Sequence, residues 1–91
     1  FDFALVSVAG HRAAEQGQTV ALAIALGGVE PRPWRCRTAE TLLLGRPLTE
    51  PAVRGALAAE LAAAKPQREN AFKLDLVVRA VLRLFAGDLS R

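Results

Sequence analysis

The chain opens with an alternating apolar stretch. Phe3-Ala4-Leu5-Val6-Ser7-Val8-Ala9 is partly β-branched and places Phe3, Leu5 and Ser7 on one face of an extended segment, Ala4, Val6 and Val8 on the other. Polar residues gather at Glu15-Gln16-Gly17-Gln18, where Gly17 takes a positive φ without steric cost, and apolar residues resume from Thr19 to Leu26. The pattern predicts a β-hairpin with arms over residues 3–14 and 18–26. Gly27-Gly28 ends the second arm, and Pro31 and Pro33 each fix φ and remove a backbone donor, so the chain turns there. Pro33-Trp34-Arg35-Cys36-Arg37 is short enough for a third, edge strand over 33–37.

Beyond Arg37 the period changes from two to nearly four. Thr38 is placed to cap a short helix over 38–44, with Gly45 at its C-terminal end and Pro47 beyond. Thr49 is placed to cap a second helix over 50–64, where Pro51 in the first turn lacks only an N–H that has no intrahelical partner. Val53, Leu57 and Leu61 recur every four residues along it, alanines widen the stripe, and Lys65-Pro66 stops it. Asn70 is placed to cap a last helix over 70–86, before Gly87. Along that helix Asp75, Arg79 and Arg83 form one narrow polar line, opposite Leu74, Val77, Val78, Val81, Leu82 and Phe85, which predicts a mostly buried element. Strands first and helices afterwards describe an α+β fold: a single domain in which a small antiparallel β-sheet of about three strands packs against about three helices.

Composition narrows this further. A chain of 91 residues supports one core, and a domain of this size buries roughly 60 to 65% of the surface its unfolded form exposes. Apolar residues make up 52% but aromatic ones only 5%, so alanine, leucine and valine build most of the interior. No run approaches the roughly 18 to 20 consecutive apolar residues of a membrane span, and no basic stretch precedes an apolar one at the start, which reads as a soluble, untargeted, cytoplasmic protein. The chain begins at Phe1 and contains no methionine, which reads as a piece of something longer, with a surface made for a partner. Twelve Lys and Arg against nine Asp and Glu give a net charge of +3, but the charges are dispersed, which disfavours nucleic acid as a partner.

Candidate chemistry is sparse. His11 stands without a visible orienting carboxylate and nucleophile, so it reads as a non-catalytic residue. Cys36, the one cysteine, makes no internal disulfide, and with a single histidine it assembles no four-ligand zinc site. Its neighbours Arg35 and Arg37 are of the sign that activates a thiol, although a partly buried, inert thiol is the stronger reading. Glu40, Glu50, Glu60 and Glu69 show no acid and base spacing and read as parts of solvated faces. Gly27-Gly28 after a strand could let backbone N–H groups approach a phosphate, but no GxGxxG or P-loop pattern surrounds it, and a tight strand exit is favoured. Arg32, Arg35 and Arg37 gather near Trp34, either as a cation-π or anion site or as an ordinary charged edge strand.

Several pieces taken in order resemble a known family. FALVSVA at 3–9, ALGGVEPRPWR at 25–35, Ala39-Glu40 followed by Leu43-Leu44-Gly45-Arg46-Pro47-Leu48, and Asn70-Ala71-Phe72-Lys73 leading to Leu76 and Arg79 are similar to the C-terminal domain of the FAD-binding medium subunits of carbon monoxide, aldehyde and xanthine dehydrogenases. Gly10, His11 and Arg12 stand where similar chains continue with small or apolar residues, and Ala21-Leu22-Ala23 is more apolar than the usual alternation. The resemblance implies a three-stranded antiparallel sheet with helices, in one subunit of a molybdenum hydroxylase. Substrate would be oxidised at a molybdenum cofactor in a large subunit, and electrons would pass through iron-sulfur clusters of a small subunit to FAD. The flavin would be held mainly by preceding FAD-binding domains, beside which this domain packs. No catalytic residue is expected within it. The interface or flavin-proximal candidates are Gly27, Gly28, Trp34, Asn70 and Lys73. The alternative is a free-standing module that dimerises or binds a peptide by adding a strand to its sheet.

Overall fold

The computed structural model of the chain describes residues 5, 7–28, 32–64 and 72–89. The expectations for Phe3, Pro31, Lys65-Pro66, Glu69 and Asn70 therefore lie outside the described residues. An antiparallel hairpin, β1 (Ser7–Glu15) and β2 (Gln18–Gly27), is followed by a two-residue strand β3 (Trp34–Arg35), and the sheet order is β1-β2-β3. Three helices come next: α1 (Arg37–Leu43), α2 (Glu50–Ala64) and α3 (Leu74–Leu84), with a short 3₁₀ turn at Ala86–Asp88. The fold is α+β, an open antiparallel sheet backed by helices on one face. Among the described residues no helix is long and apolar enough to cross a membrane.

The hairpin follows from its turn chemistry. Gln16 has φ 52° and Gly17 φ 80°, so both central residues of the two-residue turn are left-handed, the geometry whose twist matches that of paired strands. Regular pairing runs from Ser7 opposite Gly27 to Ala13 opposite Ala21, and then Ala14 pairs with Thr19, leaving Val20 as an extra residue. Leu22, Ile24 and Leu26 face the helices. Strict alternation along β2 would turn Thr19 away, but the bulge returns it to the same side, where it is 1% exposed. Its N–H donates to the Arg46 carbonyl (2.9 Å) and its carbonyl accepts from Gly45 N–H (2.8 Å), which fastens the hairpin to the α1–α2 loop. Gly45 has φ 76°, as suits the residue that ends α1.

Arg12 faces inward opposite Leu22 with its side chain 4% exposed. Its Nε donates to Thr19 Oγ1 at 2.9 Å, and its guanidinium lies 3.7 Å from the Asp88 carboxylate, so a buried cation ties the hairpin tip to the C-terminal turn.

Two expected boundaries change. Strand β3 stops at Arg35 rather than Arg37, because the chain turns into α1 there: Cys36 is the N-cap and Arg37 the first helical residue, instead of a cap at Thr38. Helix α3 starts at Leu74 rather than at Asn70, with Lys73 in extended conformation (φ −67°, ψ 133°) as its N-cap and no side-chain capping bond. Helix α2 runs over Glu50–Ala64, and Thr49 Oγ1 accepts from Ala52 N–H at 3.3 Å.

The core lies between the inner sheet face and the helices. Ile24 and Leu26 from the sheet meet Leu43, Leu48, Val53, Leu57, Val77, Val78 and Val81, all at most 1% exposed. Only one side of α3 enters it: Leu76 and Leu84 are each 39% exposed, so this helix is less buried than its composition predicts. Helix α2 packs against both α1 and α3, and its exposed Gly55 has nothing within 4 Å of the position a Cβ would take. A glycine inside a helix costs roughly 0.5 to 1 kcal/mol relative to alanine.

A carboxylate at a fully enclosed core position removes apolar packing and buries a charge, which costs about 4 kcal/mol or more. Val78→Asp is therefore expected to abolish the cooperative thermal transition followed by circular dichroism, whereas Leu76→Asp on the open side of α3 should leave the midpoint nearly unchanged.

Candidate functional site

Trp34 is the residue on which the sequence-derived candidates converge, and it lies inside the domain. Its side chain belongs to the core, at 5% exposure, and its ring stacks at a tilt on Phe72 with centroids 5.9 Å apart. Pairing of Leu26 with Trp34 puts the Gly27-Gly28 exit of β2 beside it, and Phe72 brings the start of α3, with Lys73, to the same end of the molecule. Gly27, Gly28, Trp34 and Lys73 are thus gathered at one end. Trp34 does so as a buried anchor rather than as a surface residue.

The indole N–H donates to Glu60 Oε2 at 3.0 Å, and Glu60 Oε1 accepts from the backbone N–H of Ala39 at 3.1 Å. Ala39 is the third residue of α1, so a carboxylate from α2 does for this helix what a capping side chain would do locally. Glu40 is the second buried acid. Its Oε2 accepts from Ile24 N–H at 2.8 Å, and its two oxygens take Arg35 Nε and Nη2 in a bidentate pair, the Nη2 bond being 2.9 Å. Cys36 N–H donates to the Ile24 carbonyl at 2.9 Å. Together Glu40 and Cys36 satisfy the β2 backbone where β3 has already ended.

Glu40 and Glu60 are therefore not on solvated faces: they are 7% and 6% exposed. The signal was present in the helical spacing, since Glu60 falls three and four residues after Leu57 and Ala56, and Glu40 three before Leu43, all buried. Arg35 serves Glu40, which raises the guanidinium pKa chiefly through their hydrogen bond, so it is not available to a free anion site beside Trp34. Cys36, enclosed at 0% exposure, has its thiol pushed up to about 12, first by desolvation and then by the nearby Glu60 and Glu40 carboxylates, an effect that outweighs Arg35. The flanking arginines do not activate it.

Gly27 sits in a close approach between neighbouring strands. A Cβ on Gly27 would come within 2.3 Å of Ser7 Oγ, so the missing side chain makes room for the neighbouring strand instead of a phosphate. His11 is exposed on the outer sheet face. Among the described residues no group of three or more His, Cys, Asp or Glu is arranged to hold a metal ion. A cleft of about 550 Å³ is open and lies along the first turns of α3, lined by Lys73, Leu74, Asp75, Leu76 and Arg79. Asp75 is tied across to α2 by Arg54 at 2.8 Å, and that hydrogen bond holds its carboxyl below the usual range. The lining of the cleft mixes two cations, one acid and two leucines.

Removing the Glu60 carboxylate strands two buried donors, each worth roughly 1 to 3 kcal/mol when unsatisfied. Glu60→Ala is expected to lower stability by about 2 to 5 kcal/mol in urea unfolding, and Trp34→Phe in that background should cost less than Trp34→Phe alone. For Cys36, the thiol is neutral in both states below its ordinary value of 9.0, and above it the unfolded chain ionises while the folded one does not. Stability should fall as pH rises from 9.0 towards about 12, and Cys36→Ala should flatten that decline in urea midpoints.

No curated protein and no solved structure matches the chain. The family model for the CO dehydrogenase flavoprotein C-terminal domain matches residues 1–87, nearly the whole length, with the three-stranded antiparallel sheet and helices already described, and the chain belongs to that family.

Proposed function

We propose that the chain is the C-terminal domain of the FAD subunit of a molybdenum-containing oxidoreductase of the carbon monoxide, aldehyde and xanthine dehydrogenase kind, acting in the cytoplasm. In this reading it carries no catalytic residue. It packs beside the preceding FAD-binding domains and against neighbouring subunits, and so supports electron transfer from iron-sulfur clusters to FAD. The observation that carries the reading is the family match over residues 1–87. FAD chemistry belongs to the larger subunit, and molybdenum and iron-sulfur centres to partner chains. The end of the domain formed by Gly27, Gly28, Trp34 and Lys73 is the surface we assign to the flavin side, and Asn70 is assigned the same role from the sequence alone. Trp34 supports it from within, through Glu60 and Phe72.

A second reading, a free-standing module that dimerises or adds a peptide strand, draws support from β1. Among the described residues this nine-residue strand lies at the edge of the sheet, with β2 as its one strand neighbour. An open edge of that length is a template for another strand.

The two readings separate on the protein in full. The flavoprotein reading expects the coding sequence ahead of Phe1 to encode roughly 170 to 200 further residues, an ordinary size for one or two domains, with glycine-rich phosphate-binding turns. It also expects the full-length protein, purified with its neighbours, to show flavin bands in its visible spectrum. A colourless full-length preparation, or a start codon adjoining Phe1, would instead favour the module.

A further inference from the structure

We infer that the groove between the end of α1 and the start of α2 is a docking surface for an acidic, apolar segment of a neighbouring protein subunit. The groove holds about 270 Å³, with buried Leu43 and Ala56 at its base and exposed Leu42, Arg46, Pro51 and Gly55 around it. This is below the ~300 to 1,000 Å³ of typical small-molecule sites, and matches one large apolar side chain inserted from outside.

Gly55 is the second sign. Helix α2 is otherwise rich in alanine, yet here it carries a glycine that no turn requires and that no part of the chain approaches. The cost of a helical glycine is not offset inside the domain. It is offset if a partner backbone or bulky side chain comes close at that position. Leu42, 44% exposed, borders the same opening.

Charge selects the partner. Among the described residues no carboxylate is within ion-pair distance of Arg46, which lines the groove while its backbone carbonyl holds Thr19. A segment presenting a leucine- or phenylalanine-sized side chain with an Asp or Glu beside it satisfies both features. A second copy of this chain, with net charge +3, would bring like charge to Arg46.

The inference rests on the reading of the chain as part of a multi-subunit enzyme, and is tested on the full-length subunit co-expressed with its neighbours. Gly55→Leu projects a side chain into the opening from a position whose Cβ would meet no atom within 4 Å, and Arg46→Glu reverses the charge. Each is expected to weaken subunit association about tenfold, the scale of losing one well-buried contact, as read by dilution-dependent native mass. The melting midpoint and flavin content of the subunit alone should be retained. Gly55→Ala should raise that midpoint, through the better helix former. Association unchanged in both Gly55→Leu and Arg46→Glu, with the unsubstituted complex intact and yellow, overturns the groove. An unsubstituted subunit that neither holds flavin nor associates overturns the functional reading, and the groove assignment with it.

Discussion

Two buried carboxylates hold this domain's parts in register. Taking an ion out of water costs several kcal/mol unless its lone pairs are met by well-aligned donors. Glu40 and Glu60 meet that condition by reaching across the fold. Glu40 joins β2, the end of β3 and α1, while Glu60 joins β3, α1 and α2. The segment Trp34-Arg35-Cys36 lies between them and supplies an indole, a guanidinium and a backbone N–H. A two-residue strand can thus anchor a sheet, because side chains continue the hydrogen bonding that its backbone is too short to provide.

The hydrophobic core fits around this arrangement. With few aromatic residues, the interior is built mainly from leucine, valine and alanine on one face of each element, and among the described residues the helices cover one side of the sheet. Small side chains on the outer sheet face, Ala9, Ala13 and Ala21 among them, are exposed.

What was legible in the sequence divides according to distance along the chain. The hairpin turn, the glycine ending α1 and the alternation of Leu22, Ile24 and Leu26 are set by neighbours within a few residues, so pattern alone reveals them. Glu40 and Glu60 escaped because their partners lie 16, 21 and 26 residues away, and an acid on a helix reads as solvated until the opposing donors are known. The start of α3 was misplaced for a related reason. Asn70 is a good cap by type, but the extended Lys73 and the Phe72 ring packed on Trp34 show the chain still being held by tertiary contacts three residues further on. For the candidate site, the sequence singled out Trp34 by type but not its depth: the ring is packed inside the domain on Phe72 and Glu60.

The unpaired Val20 has a wider meaning for how this hairpin can vary. It stands outside the ladder, so that Thr19, which strict alternation from Leu22 would turn outward, faces the helices with the body of the strand. Deleting Val20 would restore a regular ladder with Thr19 still opposite Ala14 and still inward, whereas drawing Val20 into the pairing would swing Thr19 outward and part it from Gly45 and Arg46. The phase of the tip is thereby coupled to the seating of a loop more than twenty residues downstream, and the hairpin tolerates loss of its extra residue more readily than a slip of register.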